Sequence, residues 1–430
     1  MFAGPSRRAS ARVLRVLSFF PLLFGCDAAA PLEAAAPGRL TSPLPLVDRA
    51  GRRSDLPQFR ITADLALPAS GAVRVRGTID SPDEPAIYGL GPLSAGDRLL
   101  VGVTGDAGLN TVAALFNEYG ELIDANDDRA YYSGNTDPYI DVTVREDTPA
   151  AYAAVAVSRA RYFSHSSGRY DSGSFRLEVE RLPGTGPEAR RQIVWIEFGG
   201  GTGVRIAQEP ALDVPPFDAA RISGRLAGDD ARIRDLVVEK LRADFAGLDF
   251  VLLRSDRDLP PGEPHTRLYF GGFNARFLGL SDNVDSYNAN LQQSSVIFAE
   301  TLGLFDSLQP TWADVAQGLA NIAAHELGHL LGLEHSADPE DLMAQAASAR
   351  QIFFIDAAFR TAPLDADLFP AGLQNGPRQL LLALGSAEHP AGAWRGVARR
   401  SDSTALPAAH AGPAAQALPS EPGLRLCNRH

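Results

Sequence analysis

Residues 311–335 constrain the fold of this chain more than any other stretch. Trp312, Val315, Leu319, Ile322, Ala323, Leu327, Leu330 and Leu331 recur at three- and four-residue spacing, which buries one side of a helix. Pro310 followed by Thr311, with Asp314 three residues on, reads as the start of that helix in the manner of a capping box. His325 and His329 stand four apart on another side, one turn above the other. Imidazoles at that spacing reach a single cation at about 2.0–2.1 Å, and zinc is the usual choice. Glu326, beside the first histidine, is placed to take a proton from a water on the cation and not to bind the cation itself. Gly332 suits the left-handed backbone that ends a helix. Once the chain has turned there, His335 approaches the same point as a third ligand. Three protein ligands with a fourth position open describe a catalytic site and not a structural one.

The run His325-Glu326-Leu327-Gly328-His329-Leu330-Leu331-Gly332-Leu333-Glu334-His335 resembles the signature of the metzincin peptidases, and His335-Ser336 resembles the matrixin branch. Met343, in Asp341-Leu342-Met343-Ala344, stands eight residues past His335 and is the only methionine besides the initiator. The resemblance implies that Met343 forms the methionine turn, an apolar floor beneath the ligands that does not coordinate. It also implies an α+β catalytic domain, a twisted mixed sheet with an active-site helix. That domain would hold one catalytic zinc ion and cut peptide bonds in a protein or peptide substrate, with Glu326 as general base.

In that family the substrate lies extended along the sheet edge, and the expected edge is Ser295, Val296 and Ile297 within residues 294–298. A buried strand of the same sheet reads identically. Matrixins also hold structural ions in loops comparable to residues 281–290. By that likeness Asp282, Asp285 and Asn288 are candidate oxygen ligands for calcium, and a plain polar loop fits equally well. His265 is the only histidine near this loop, so a second, structural zinc lacks its usual ligands. No cysteine switch peptide precedes the catalytic unit.

At 430 residues the chain exceeds one ordinary core and predicts a multidomain protein. Residues 57–183 carry short apolar runs at 73–79, 98–104, 111–116, 139–144, 152–157 and 174–179, separated by Gly, Pro, Asn and Asp. Val73, Val75 and Gly77 alternate with Arg74, Arg76 and Thr78, as in a strand with one wet face. Many short strands without helices predict an antiparallel, jelly-roll-like β-sandwich. This stretch resembles the bacterial pre-peptidase C-terminal domain through Gly96-Asp97-Arg98-Leu99-Leu100-Val101, the segment 115–128 and Gly173-Ser174-Phe175-Arg176-Leu177-Glu178-Val179. Asn126-Asp127-Asp128 reads as a solvated turn in preference to a calcium site. Pro183-Gly184-Thr185-Gly186-Pro187 reads as a linker. In the catalytic unit, residues 190–386, strands are expected at 193–198, 250–253, 268–270 and 295–298, helices at 229–245 and 376–384. Residues 387–430, rich in Ala, Pro and Gly, read as an unstructured tail.

The net charge of −12 argues against nucleic acid and against a basic patch for anionic membranes, and a monomer is expected. Cys26 and Cys427 are the only cysteines, so no disulfide framework exists. Arg7, Arg8, Arg12 and Arg15 precede the apolar run 16–24, which is too short to span a bilayer and reads as a signal peptide, residues 1–25. It closes on Leu23-Phe24-Gly25-Cys26, which resembles a bacterial lipobox with Cys26 as the lipidated residue. A plain secretory signal with an incidental cysteine is the other reading. Residues 26–56 follow as a tether, which predicts export to the bacterial cell envelope with a membrane anchor at the N-terminus. Two functions fit the whole: a lipid-anchored zinc endopeptidase, or a surface-tethered lipoprotein whose sandwich binds glycan or protein and whose zinc domain is inactive.

Overall fold

The structure is a computed structural model of the chain. It describes residues 59–129, 135–159, 172–207 and 209–388, together with Arg49 and the two-residue strands Leu32–Glu33, Pro43–Leu44 and Leu424–Arg425. The signal segment, Cys26, most of the expected tether and most of the expected tail lie outside the described residues.

The first unit is a sandwich of two sheets. Its strands are β1 (Phe59–Asp64), β2 (Gly71–Ile79), β3 (Ala86–Leu93), β4 (Arg98–Gly105), β5 (Thr111–Phe116), β6 (Leu122–Asn126), β7 (Tyr139–Thr143), β8 (Thr148–Val157) and β9 (Gly173–Leu182). One sheet runs Leu32–Glu33, β2, β9, β4, β7, and the other Pro43–Leu44, β1, β3, β8, β5, β6. Pairing is antiparallel except that β1 lies parallel to β3 and Leu32–Glu33 parallel to β2. Val75, Leu99, Val101, Phe175, Leu177 and Val179 from one sheet meet Tyr88, Leu90, Leu115, Ala153 and Val155 from the other.

The two sheets differ in how their strands alternate. In β9 the odd residues Phe175, Leu177 and Val179 are buried, and Arg176 and Glu178 between them face outward. In β5 all six residues are buried. The reason is a second cover. Phe59, Ile61, Val112, Ala114, Phe116, Tyr152 and Ala154 face away from the sandwich core and pack under Leu364, Leu368 and Phe369 of the second unit. A strand wet on neither face loses its period-2 polar pattern.

The second unit contains β10 (Gln192–Glu197), the hairpin β11 (Gly201–Val204) and β12 (Leu212–Val214), α1 (Asp230–Asp244), β13 (Phe250–Arg254), β14 (Thr266–Phe270), β15 (Gly279–Ser281), β16 (Ser294–Ile297), α2 (Trp312–His329), α3 (Ala349–Phe354), the hairpin β17 (Thr361–Pro363) and β18 (Leu373–Asn375), and α4 (Gly376–Leu384). Its main sheet has the order β13-β10-β14-β16-β15. The first four strands are parallel and β15 is antiparallel to β16. The sheet is therefore mixed, as expected. Helices α1 and α2 pack on each other, and α2 lies against β15 and β16.

One expectation needs correction. Ser295, Val296 and Ile297 are not the sheet edge, because β15 pairs along the outer side of β16 and is itself the last strand. Further contacts involve described residues of the expected tether and tail. Arg49 forms ion pairs with Glu121 at 2.7 Å and Glu146 at 2.9 Å, and Pro43–Leu44 pairs with β1. In the tail, Leu424–Arg425 pairs antiparallel with Ala346–Ala347.

Candidate metal centre

Helix α2 begins with the capping box anticipated above. The Thr311 side chain accepts from the Asp314 amide, and the Asp314 side chain accepts from the Thr311 amide. The helix is buried from Val315 to its end. His329 is its last residue, and Gly332, at φ 95°, reverses the chain. The amides of Gly332 and Leu333 donate to the carbonyls of His329 and Gly328, both at 2.9 Å, and so satisfy carbonyls the helix leaves open.

That turn brings three histidines together. The nearest ring nitrogens of His325, His329 and His335 all lie within 4.8 Å of one another, and each residue is buried. Ring centroids are 4.8 Å apart for His325 and His329, 5.4 Å for His325 and His335, and 4.8 Å for His329 and His335. Backbone carbonyls hold two of the rings. Nδ1 of His325 donates to the Leu342 carbonyl at 2.6 Å, and Nδ1 of His329 to that of Leu333 at 2.8 Å. Each bond keeps the proton on Nδ1 and leaves Nε2 as the ligand atom. The two Nε2 atoms are 3.2 Å apart. Burial lowers the His325 pKa to about 4, so the imidazole is neutral at ordinary pH, the form that binds metal. Three imidazole donors, two of them with Nδ1 fixed from behind, fit zinc in chemistry and number. Among the described residues this is the one group of three or more His, Cys, Asp or Glu side chains able to hold a metal ion.

Met343 is fully buried against the end of the helix, with Sδ pressed against Gly328 so closely that a Cβ there would lie 2.5 Å from the sulfur. The same turn supplies the Leu342 carbonyl to His325. Asp341 shapes it by accepting from the Met343 amide at 3.2 Å. The Ser336 amide donates to the Met343 carbonyl at 2.9 Å and fastens the segment that carries His335 to the turn.

Glu326 is wholly buried. Its Oε2 accepts from the Ser281 hydroxyl at 2.5 Å, while Oε1 has no hydrogen-bond partner. Burial pushes the carboxyl up to about 8, with the Ser281 hydrogen bond pulling the other way. A proton acceptor whose basicity is raised in this manner is suited to general-base work near neutral pH.

Sequence reasoning missed Ser281 and Gly279, both on the edge strand β15. A Cβ at Gly279 would lie 2.3 Å from Oε1 of Glu326. The available signal was two small residues alternating with large ones in Leu278-Gly279-Leu280-Ser281, which gives one face of that strand room for a side chain from elsewhere. Ser295, expected at the edge, instead hydrogen-bonds the Leu280 carbonyl at 2.9 Å from the inner strand.

The loop suspected of binding calcium spends its carboxylates on protein donors. Asp282 accepts from the amides of Ala207 at 2.6 Å and Ser294 at 2.6 Å. Asp285 accepts from the Asn290 amide and the Gln293 side chain, both at 2.8 Å. The Asn288 side chain donates to the Arg190 carbonyl.

The family description Matrixin matches residues 282–356, a span that takes in the three histidines, Glu326 and Met343. It supports a zinc metallopeptidase-like domain there. No curated protein matches the chain. Among solved structures, a periplasmic inhibitor of g-type lysozyme from Aeromonas hydrophila is 18% identical, with 28% of this chain and 97% of that one covered and a TM-score of 0.21. The pre-peptidase C-terminal domain of a Bacillus anthracis collagenase is 13% identical over 28% of this chain and 96% of its own, also with a TM-score of 0.21. A family two carbohydrate esterase from Cellvibrio japonicus is 13% identical over 51% and 57%, with a TM-score of 0.13. Scores this low carry no argument about function.

Proposed function

We propose that the chain is an exported, lipid-anchored zinc endopeptidase. One observation carries the reading: three buried imidazoles converge beside a buried glutamate that has one oxygen held and the other without a partner. Zinc at such a site supplies a Lewis acid, which polarises a carbonyl and makes water nucleophilic near neutral pH.

The protein's own groups do the rest. Oε1 of Glu326 takes the proton from the attacking water and passes it to the leaving amine. The Ser281 hydroxyl holds Oε2, so the carboxylate keeps one orientation through both transfers. Strand β15 is the last of its sheet, and its outer backbone groups pair with an extended peptide, which seats the scissile bond beside Glu326. Gly279, on the same strand, lets the carboxylate reach that line. The carbonyls of Leu342 and Leu333 keep His325 and His329 in the metal-binding tautomer.

Anchoring rests on Arg7, Arg8, Arg12 and Arg15, the apolar run after them and Leu23-Phe24-Gly25-Cys26, with Cys26 taking the lipid. The test of the enzymatic reading is cleavage of casein by the purified chain before and after chelation. Cleavage that stops with chelator and returns with zinc is expected. A protein that holds zinc and cleaves neither casein nor a peptide library would favour a binding role instead.

A further inference from the structure

We propose that the β-sandwich is a built-in brace of the metal centre: strand β6 fixes the loop at residues 285–288, and that loop seats the turn that carries His335 to the other two histidines. The inference rests on the metal-site reading above.

The loop is gripped from the sandwich side at two consecutive residues. The Ser286 hydroxyl donates to Oδ1 of Asp124 at 2.7 Å. The Tyr287 hydroxyl donates to the Ile123 carbonyl at 3.1 Å, and the Arg145 guanidinium lies 5.0 Å from its ring centroid. Asp124 and Ile123 are both in β6, and Tyr287 is buried. On its other side the loop touches the end of α2 directly. The Asp285 amide donates to the His329 carbonyl at 2.9 Å. Gly332 lies flat against the loop backbone, where a Cβ would be 2.8 Å from the Tyr287 nitrogen and 3.0 Å from both the Asp285 carbonyl oxygen and the Ser286 Cα. No side chain intervenes, so a shift of the loop is passed to the residues between His329 and His335.

Tyr287 and Asn288 are successive non-glycine residues in the left-handed region, at φ 58° and 56°. Such backbone is disfavoured and persists only where surrounding contacts impose it. Those contacts are Asp285 within the loop, which accepts from the amides of Asn288 and Asn290, β6 on one side, and Arg190 on the other, which receives the Asn288 side chain on its carbonyl and donates to the Ala289 carbonyl at 2.5 Å.

The test uses the full chain. Metal-free protein is titrated with zinc against a chromophoric chelator, and amide hydrogen exchange is followed at residues 332–336. Loss of groups that orient metal ligands typically weakens affinity about 10–100-fold. The double variant Ser286→Ala, Tyr287→Phe should raise the zinc Kd at least about tenfold and speed exchange at residues 332–336. Leu177→Ala, a cavity in the sandwich core away from this loop, should lower the melting temperature yet leave the Kd within about twofold. Should the double variant not fold, Ser286→Ala alone carries the comparison. An unchanged Kd and unchanged exchange would overturn the brace, and so would an equal loss of affinity in Leu177→Ala. If the unsubstituted chain itself binds no zinc, the metal-site reading fails and the brace falls with it.

Discussion

The hydroxyl of Ser281 lies 2.5 Å from Oε2 of Glu326, across the gap between the edge strand of the sheet and the buried helix behind it. The contact leaves Oε1 alone to exchange protons. Ser281→Ala should lower kcat about tenfold with KM little altered, since the hydroxyl orients the base and not the peptide. Gly279→Ala should be more severe, because the added methyl group falls on Oε1. Steady-state kinetics on both variants, with zinc content measured alongside, check this. Loss of zinc in Ser281→Ala would count against an orienting role.

Glu326→Gln keeps the shape of the side chain and removes the base. Zinc content should stay at that of the unsubstituted chain while peptide cleavage falls at least about 10²–10⁴-fold, the usual worth of positioned general acid–base catalysis. A variant that still cleaves casein at an appreciable rate would remove Glu326 from its assigned role.

The same substitution has a signature in the metal-free protein. Burial raises the folded pKa of Glu326 to about 8, above its value in the unfolded chain. A raised carboxyl contributes its stability in full below the unfolded pKa, and that contribution is lost as pH rises through the folded value. Glutamine has no charge to bury. Metal-free Glu326→Gln should therefore gain melting temperature over the unsubstituted protein, and the gap should widen between pH 5 and pH 9. A gap that stays constant across that range would contradict the burial argument.

Met343 is fully buried and its sulfur rests on Gly328. Met343→Ala should cost about 2–5 kcal/mol of stability through the cavity it leaves. Met343→Leu, close in volume, should cost less than about 1.5 kcal/mol. Chemical denaturation of the three proteins with zinc present checks the ordering, and equal losses in both variants would argue against a packing role.

What was legible in the sequence was local chemistry. His325, His329 and Glu326 sit within five consecutive helical residues, and Gly332 announces the reversal that returns His335, so spacing alone predicts their convergence. The alternation in β2 was legible because one face of the strand is wet. The edge of the second sheet was not: in 294–297 the buried pattern reads the same whether a strand is last or next to last, and β15 is only three residues long. Ser281 was hidden for a similar reason, since its partner lies 45 residues away. The packing of the sandwich against the second unit was also illegible. It depends on Phe116 meeting Phe369 and on Asn375 reaching Glu121, contacts between residues more than 250 positions apart. Pro183-Gly184-Thr185-Gly186-Pro187 joins two units that share a continuous buried cluster.

The most direct test is zinc stoichiometry, measured together with peptide cleavage on the full chain and on His335→Ala. His335 is the ligand supplied after the turn, so it reports on convergence and not on helical spacing. One zinc per chain with cleavage, and loss of both in His335→Ala, is the predicted result. Zinc held equally well by His335→Ala, or no zinc in the unsubstituted chain, would contradict it.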